Sequence, residues 1–243
     1  RPIRDKVHLV ATRPYYSYKK NVLKAKLQDN PYTFLRIINP EFNSPVKTKA
    51  NSDGRFKLVS QRYHEFIEKN ILIQDQQAKL YLYRQSKGEK SSVGVIGGAS
   101  VKEYLNDDIK RHEATLTSRE EIFTRYLDIV GYNAEPVLIS YKGNSDINSF
   151  ISDLVGSRPE YEFSTTDLIK HELWILEDDE ADKFEQLFKQ IPCTYIADGH
   201  HRSASSARLF ESGKNKSFNA RYFLSYFVEQ DQLQILEFNR LVK

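Results

Sequence analysis

The sequence holds a single cysteine, Cys193, which excludes an internal disulfide framework and a cysteine-based zinc site alike. Methionine, a common adaptable core filler, is absent altogether. No apolar run approaches the roughly 18 residues needed to span a bilayer. No basic start followed by an apolar stretch opens the chain, so nothing reads as a signal peptide. A cytoplasmic location without membrane contact is the resulting expectation. Charge of one sign is also in short supply. The 36 Lys and Arg exceed the 33 Asp and Glu by only +3, and the two signs are interspersed almost everywhere. Nucleic-acid binders usually segregate positive charge, so nucleic acid is a disfavoured partner. The short basic stretches Lys19-Lys20 and Lys214 to Lys216 read as solvated faces.

Familiar catalytic strings are missing too. There is no Walker loop and no dinucleotide fingerprint, since Gly94-Val95-Ile96-Gly97-Gly98 matches neither. Ser203, Ser205 and Ser206 follow a histidine pair without the Gly-x-Ser-x-Gly elbow of a serine hydrolase. His112, Glu113, His200 and His201 are suitable ligand types for zinc or iron. No His-x-x-x-His spacing supports them, and chemistry resting on a metal alone ranks third.

What is present is the balance of a globular protein, with 40% apolar and 28% charged residues. The length of 243 residues predicts one α+β domain over 1–243, or two subdomains near 1–105 and 106–243. Helices and strands alternate. A short apolar run at 7–11 reads as a strand, and a helix capped by Ser17 runs to about Gln28, stopped by Asn30-Pro31. Residues 32–38 read as a buried strand closed by Asn39-Pro40, and 42–55 as a polar loop. A helix follows over 56–69. Strands at 80–84 and 92–100 form a hairpin through 86–90, where Gly88 supplies the permissive backbone.

Further helices are expected over 101–106, 118–130, 147–155 and 179–190, and strands over 136–141, 173–176 and 222–228. A last strand over 232–242 runs to the end of the sequence, which leads to the expectation that the natural protein continues beyond Lys243. Hairpins among single crossovers argue for a mixed sheet with flanking helices.

The sharpest signal is the string Thr194-Tyr195-Ile196-Ala197-Asp198-Gly199-His200-His201-Arg202. It predicts a buried strand, a tight Asp-Gly turn and a helix whose small residues, Ser203 to Ala207, can pack close to the sheet. A glycine turn feeding a helix presents free amides and the positive dipole end, which suits a phosphate or carboxylate. His200, His201 and Arg202 add donors there, with Arg202 able to grip phosphate oxygens in pairs. Asp198 could hold Mg²⁺ or accept a hydroxyl proton. The competing reading is a common turn whose paired histidines only cap a loop.

A second cluster, Lys110-Arg111-His112-Glu113-Ala114-Thr115, reads as a loop that could supply a general base in Glu113 or His112. Lys110 and Arg111 would bind phosphate charge. The alternative is a solvated loop paired with Glu120 and Glu121.

These strings occur in a familiar order. The run from Asn30 to Glu41, then Ile109 to Thr115, then Tyr195 to Ala204, and finally Phe238-Asn239-Arg240 resemble the family DUF1015, a domain of unknown function, along essentially the whole chain. Leu116-Thr117 departs from the Arg-Pro usual there, and the stretch around 42–55 matches poorly. Asp198-Gly199-His200-His201-Arg202 is also similar to the strand-turn-helix of the ParB/sulfiredoxin superfamily, here spanning 194–210, and nearly matches the string of its free-serine kinases. That resemblance implies phosphate binding at Gly199 to Arg202. It points to a nucleotide-dependent phosphotransferase using ATP or ADP with Mg²⁺ on a small hydroxyl-bearing metabolite. A non-catalytic, nucleotide-gated binding protein or DNA-associated protein is the alternative that the resemblance also implies. A sulfiredoxin is disfavoured, because Cys193 lies within the strand and not beside the turn.

Overall fold

A computed structural model describes residues 1–215 and 217–233. In chain order its regular elements are α1 (Val7–Val10), α2 (Lys20–Asp29), α3 (Leu35–Ile38), α4 (Asp53–Glu68), β1 (Tyr81–Lys87), β2 (Lys90–Ser100), α5 (Val101–Leu105) and β3 (Ile109–Lys110). They continue with α6 (Thr117–Val130), β4 (Val137–Tyr141), α7 (Ser145–Val155), β5 (Tyr161–Ser164), β6 (Lys170–Ile175), α8 (Asp178–Phe188), β7 (Thr194–Asp198), α9 (His200–Glu211) and β8 (Tyr222–Glu229). The fold is α+β, built on one mixed eight-stranded sheet in the order β3-β7-β4-β8-β2-β1-β6-β5.

The pairs β3/β7 and β4/β8 are parallel and the others antiparallel. Ile139, Phe227, Val95, Leu82 and Trp174 are register partners across five strands, forming an apolar row. Around one end of that row, Tyr141, Leu82 and Trp174 pack with Ile147 and Ile151 of α7 and Phe184 of α8. Around the other, Ala99, Val137, Ile139, Ile196 and Phe223 pack with Tyr104 of α5 and Ala204 and Ala207 of α9. A third cluster joins Val10, Ile37, Phe56, Val59, Phe66 and Val130 from α1, α3, α4 and α6.

Two expected strands are helical turns. Residues 7–11 form α1, and 32–38 form a bend leading into α3. Short apolar runs do not distinguish a buried strand from a buried helical turn. Here the two runs bond to each other, the Phe34 amide donating to the carbonyl of Val10 at 3.1 Å. Asn30 also ties the two runs together, donating to the carbonyl of Leu9 at 2.7 Å and accepting from the Tyr32 amide at 2.9 Å. The polar loop also ends earlier than expected. Ser52 caps α4 by accepting from the Arg55 amide at 3.3 Å, and buried Glu41 fastens the loop by pairing with Arg55 and accepting from the Thr48 amide. The strands β3 and β5 carry no clear sequence signal. The expected strand over 232–242 begins with a helical turn at Gln230–Gln232 closed by Leu233, and residues 234–242 lie outside the described residues.

The hairpin turns as expected, with Gly88 at φ 59°. Close approach in β2 centres on Gly94, where an added Cβ would lie 2.2 Å from the carbonyl oxygen of Phe227 on β8. Gly94→Ala should therefore destabilise the protein by about 1–3 kcal/mol through forced backbone movement. Urea denaturation monitored by far-UV circular dichroism would show it as a lowered midpoint, while Gly98→Ala, whose added Cβ would meet only the Tyr222 side chain, at 3.1 Å, should cost less.

Candidate functional site

The turn after β7 forms as its sequence predicts. Gly199 sits at φ 102°, in the left-handed region, and an added Cβ would approach the Arg202 guanidinium to 2.9–3.1 Å. The backbone angle is what demands glycine, since the guanidinium is the far end of a flexible side chain. Helix α9 then begins at His200, and its first amides have no partner within the helix. Its body is lined by buried Ser203, Ala204, Ser205, Ser206 and Ala207. Small side chains let α9 lie against the sheet on one side, through Ala204 and Ala207, and against α6 on another. The serine hydroxyls donate back to carbonyls of the preceding turn, Ser203 to His200 and Ser206 to Arg202, both at 3.0 Å, so none is free for nucleophilic work.

The two clusters meet because β3 pairs in parallel with β7, with Ile109 opposite Thr194 and Lys110 opposite Tyr195. Parallel strands end on the same side of a sheet, and the crevice beyond such ends is a recurrent ligand position in sheets of this kind. The segment leaving β3 therefore runs beside the start of α9. The Glu113 carboxylate lies 3.5 Å from Nδ1 of His200, and the His112 ring stands edge-on to the His200 ring with centroids 4.4 Å apart.

His200 is 5% exposed, so its ring is not the outward-facing phosphate donor that the sequence suggested. Burial pushes its pKa below the usual histidine value. The neighbouring His112 adds to the effect, while Glu113 and Asp198 oppose it. A neutral imidazole results, facing a carboxylate through Nδ1. Nε2 of His200 and Nδ1 of His201 are buried and have no hydrogen-bond partner among the described residues. The His201 ring lies 6.5 Å from that of Phe123 on α6.

Arg202 is turned toward the start of β4. It donates to the carbonyl of Pro136 at 2.6 Å, pairs with Asp198 at 2.6 Å and approaches Glu135 to 3.4 Å. Asp198 itself stays exposed, opposite an irregularity in register between Leu138 and Ile139. Lys110 and Arg111 face Asp107, at 2.9 and 4.0 Å, and Arg111 also lies over the Tyr104 ring. The structure thus brings His112, Glu113, Asp198, Gly199, His200 and Arg202 together and turns Lys110 and Arg111 aside. Glu120, proposed as a partner for that loop, accepts from Thr115 and pairs with Arg208.

Sequence reasoning passed over Glu135 and Asp107. Glu135-Pro136 before a strand signals only an extended entry, and a lone carboxylate such as Asp107 in a polar stretch carries no signal of its own. Among the described residues, no group of three or more His, Cys, Asp or Glu side chains is arranged to hold a metal ion. No described helix is long and apolar enough to cross a membrane.

A mixed α+β sheet carrying a glycine turn at the mouth of a buried helix defines the architecture. Over residues 1–243 the chain matches the family described as protein of unknown function (DUF1015), and it belongs to that family. No curated protein and no solved structure matches it.

The state of His200 leaves a signature in stability. Its folded pKa lies below the unfolded value, so the unfolded chain takes up a proton that the folded chain resists. The contribution is fully present above an unfolded pKa of about 6.5 and is lost as pH falls below it. Urea midpoints measured from pH 7.5 to 5 should fall, and should fall less steeply for His200→Asn. His171 shifts in the same direction through burial, so the difference between the two proteins is the diagnostic quantity.

Proposed function

We propose that the protein binds the phosphates of a nucleotide at the start of α9 and transfers a phosphoryl group to a small hydroxyl-bearing metabolite. The observation that carries this reading is the placing of Glu113 against His200, beside the His200 and His201 amides, which have no partner among the described residues. One edge of the sheet then offers an anion site and a proton acceptor together. The likeness of Asp198-Gly199-His200-His201-Arg202 to the ParB/sulfiredoxin strand-turn-helix supports the same choice.

In this reading the phosphates accept from the amides at Gly199 to His201, and Arg202 exchanges Asp198 for phosphate oxygens. His201 contributes a further donor from its ring. The acceptor hydroxyl gives its proton to Glu113, whose charge His200 and His112 moderate. The hydroxyl oxygen bonds to the terminal phosphorus as the bridging P–O bond breaks, and ADP leaves when ATP is the donor, or AMP when ADP is. Lys110 and Arg111 would assist only after leaving Asp107.

Mg²⁺ is commonly held by one or two carboxylates together with substrate phosphates. Asp198, a single exposed carboxylate released by Arg202, fits that role, and the ion would neutralise phosphate charge. Positioning and charge stabilisation are most of what phosphoryl transfer requires.

A second reading rests on the Asp198–Arg202 pair. A nucleotide that breaks it would reshape the β7–α9 turn, which suits a gated binding protein without chemistry. A thermal-shift panel of ATP, ADP and CTP with Mg²⁺, followed by detection of phosphorylated amino acids and alcohols, separates the two. Binding at a hundredfold excess over Kd should stabilise by about 2.7 kcal/mol. Arg202→Ala should weaken binding at least tenfold. Glu113→Gln should keep binding and slow transfer by about 10²–10⁴-fold. Nucleotide binding with no product would leave the gated protein standing. No stabilisation by any nucleotide, or unchanged binding in Arg202→Ala, would remove both.

A further inference from the structure

The modest net charge conceals one strongly uneven segment. From Lys6 to Gln28 the sequence carries Lys6, Arg13, Lys19, Lys20, Lys24 and Lys26 and no acidic residue. Lys19, Lys20 and Lys24 are exposed, and among the described residues none of them forms an ion pair. Lys20 and Lys24 are one helical turn apart on α2, with Cβ atoms about 6 Å apart. Unpaired like charges this close repel one another, so they favour a polyanion that would neutralise them.

The turn before α2 adds aromatic faces. Tyr15 and Tyr16 are 54% and 76% exposed, their rings edge-on with centroids 5.8 Å apart. Neither hydroxyl has a hydrogen-bond partner among the described residues. The turn that presents them is braced, because both the amide and the hydroxyl of Ser17 donate to the carbonyl of Pro14, at 3.0 and 2.7 Å. Tyr18 is the anchor. Its hydroxyl accepts from the Arg13 amide at 3.0 Å, and its ring lies beneath Arg13 and Lys26. One tyrosine of the three is thus spent on holding the turn, and two are held outward.

We infer that residues 13–26 form a docking surface for single-stranded nucleic acid, with Lys19, Lys20 and Lys24 along the phosphates and Tyr15 and Tyr16 stacking on unpaired bases. A basic groove or strip interleaved with aromatics is the recurring chemistry of sequence-tolerant single-strand binding. A duplex hides its base faces and would leave the tyrosines without a role. An anionic bilayer fits less well. Leu27 is the one buried residue of α2 and faces the protein, and the outward side offers Val22 among Lys and Asn and no apolar stripe to insert. This surface shares no residue with the Gly199 turn, so it stands or falls separately from phosphoryl transfer there.

The test uses the full chain, a fluorescent single-stranded oligonucleotide of mixed sequence, the same sequence as a duplex, and vesicles containing phosphatidylserine. Anisotropy at 50 mM salt should show the single strand bound, and bound more tightly than the duplex. Affinity should fall with salt, with a slope of about −0.7 per phosphate neutralised. The double change Tyr15→Ala and Tyr16→Ala should weaken single-strand binding about tenfold or more. The triple change of Lys19, Lys20 and Lys24 to Glu should abolish it, with the urea midpoint unchanged because these side chains are exposed. Arg202→Ala should bind the oligonucleotide as the parent does. Absence of single-strand binding, equal affinity for the duplex, indifference to the tyrosine changes, dependence on Arg202 or tighter binding to vesicles would each overturn the assignment.

Discussion

Everything proposed for the candidate site depends on one very short parallel pairing. The strand β3 is two residues long, yet its register with β7 decides where residues 111–115 go. Had β3 paired antiparallel, its chain would leave at the opposite end of β7, roughly the length of that strand away, and Glu113 could not meet His200. The pairing is supported from behind. Ile109 is buried in the cluster formed by Tyr104, Ile196 and Ala204, so burial on that face fixes its register. A site assembled this way borrows its geometry from the core, and it needs few contacts of its own.

Close packing of α9 has a second consequence. A helix lined with Ser and Ala brings backbone, and not side-chain bulk, up to the sheet and to α6. That leaves His200 little room to escape, and its imidazole is held in a place where a charge is disfavoured. The ring is thus suited to staying neutral at physiological pH and sharing the Glu113 carboxylate, and is poorly suited to serving as a fixed cation for phosphate. Positive charge at the turn must come from Arg202 and from the helix end itself.

Much of this was readable in the sequence, for identifiable reasons. Asp198-Gly199 between an apolar strand and an Ser/Ala helix announces a strand-turn-helix, because glycine is the residue that tolerates a left-handed backbone there. Gly88 marks the hairpin for the same reason. The adjacency of Glu113 to His200 was not readable, because a two-residue strand carries no periodicity and its partner lies far along the chain. Residues 32–38 misled because Tyr, Thr, Phe and Ile favour strands, whereas the side chain of Asn30 and the Phe34 amide, bonded to the Val10 carbonyl, tie this run to α1 as a helical turn. Arg202 could be recognised as a cation beside a turn. That it lies against Glu135 and the Pro136 carbonyl follows from β4 starting where β7 ends, which is topology.

The Asp198–Arg202 pair bears directly on how such a turn could take a ligand. Asp198 is largely exposed, and an ion pair of this kind is worth about 0–1 kcal/mol. A phosphate offers Arg202 two parallel charged hydrogen bonds, each stronger than a neutral one, and the adjoining helix amides add donors that the Asp198 carboxylate does not use. On the proposed reading, exchange would therefore favour the phosphate at little cost. The Pro136 carbonyl need not be given up, since a guanidinium has five N–H donors and only one of them is committed to it. With one end held on β4 and the other paired with Asp198, Arg202 would, on that reading, couple occupancy of the turn to the position of Asp198.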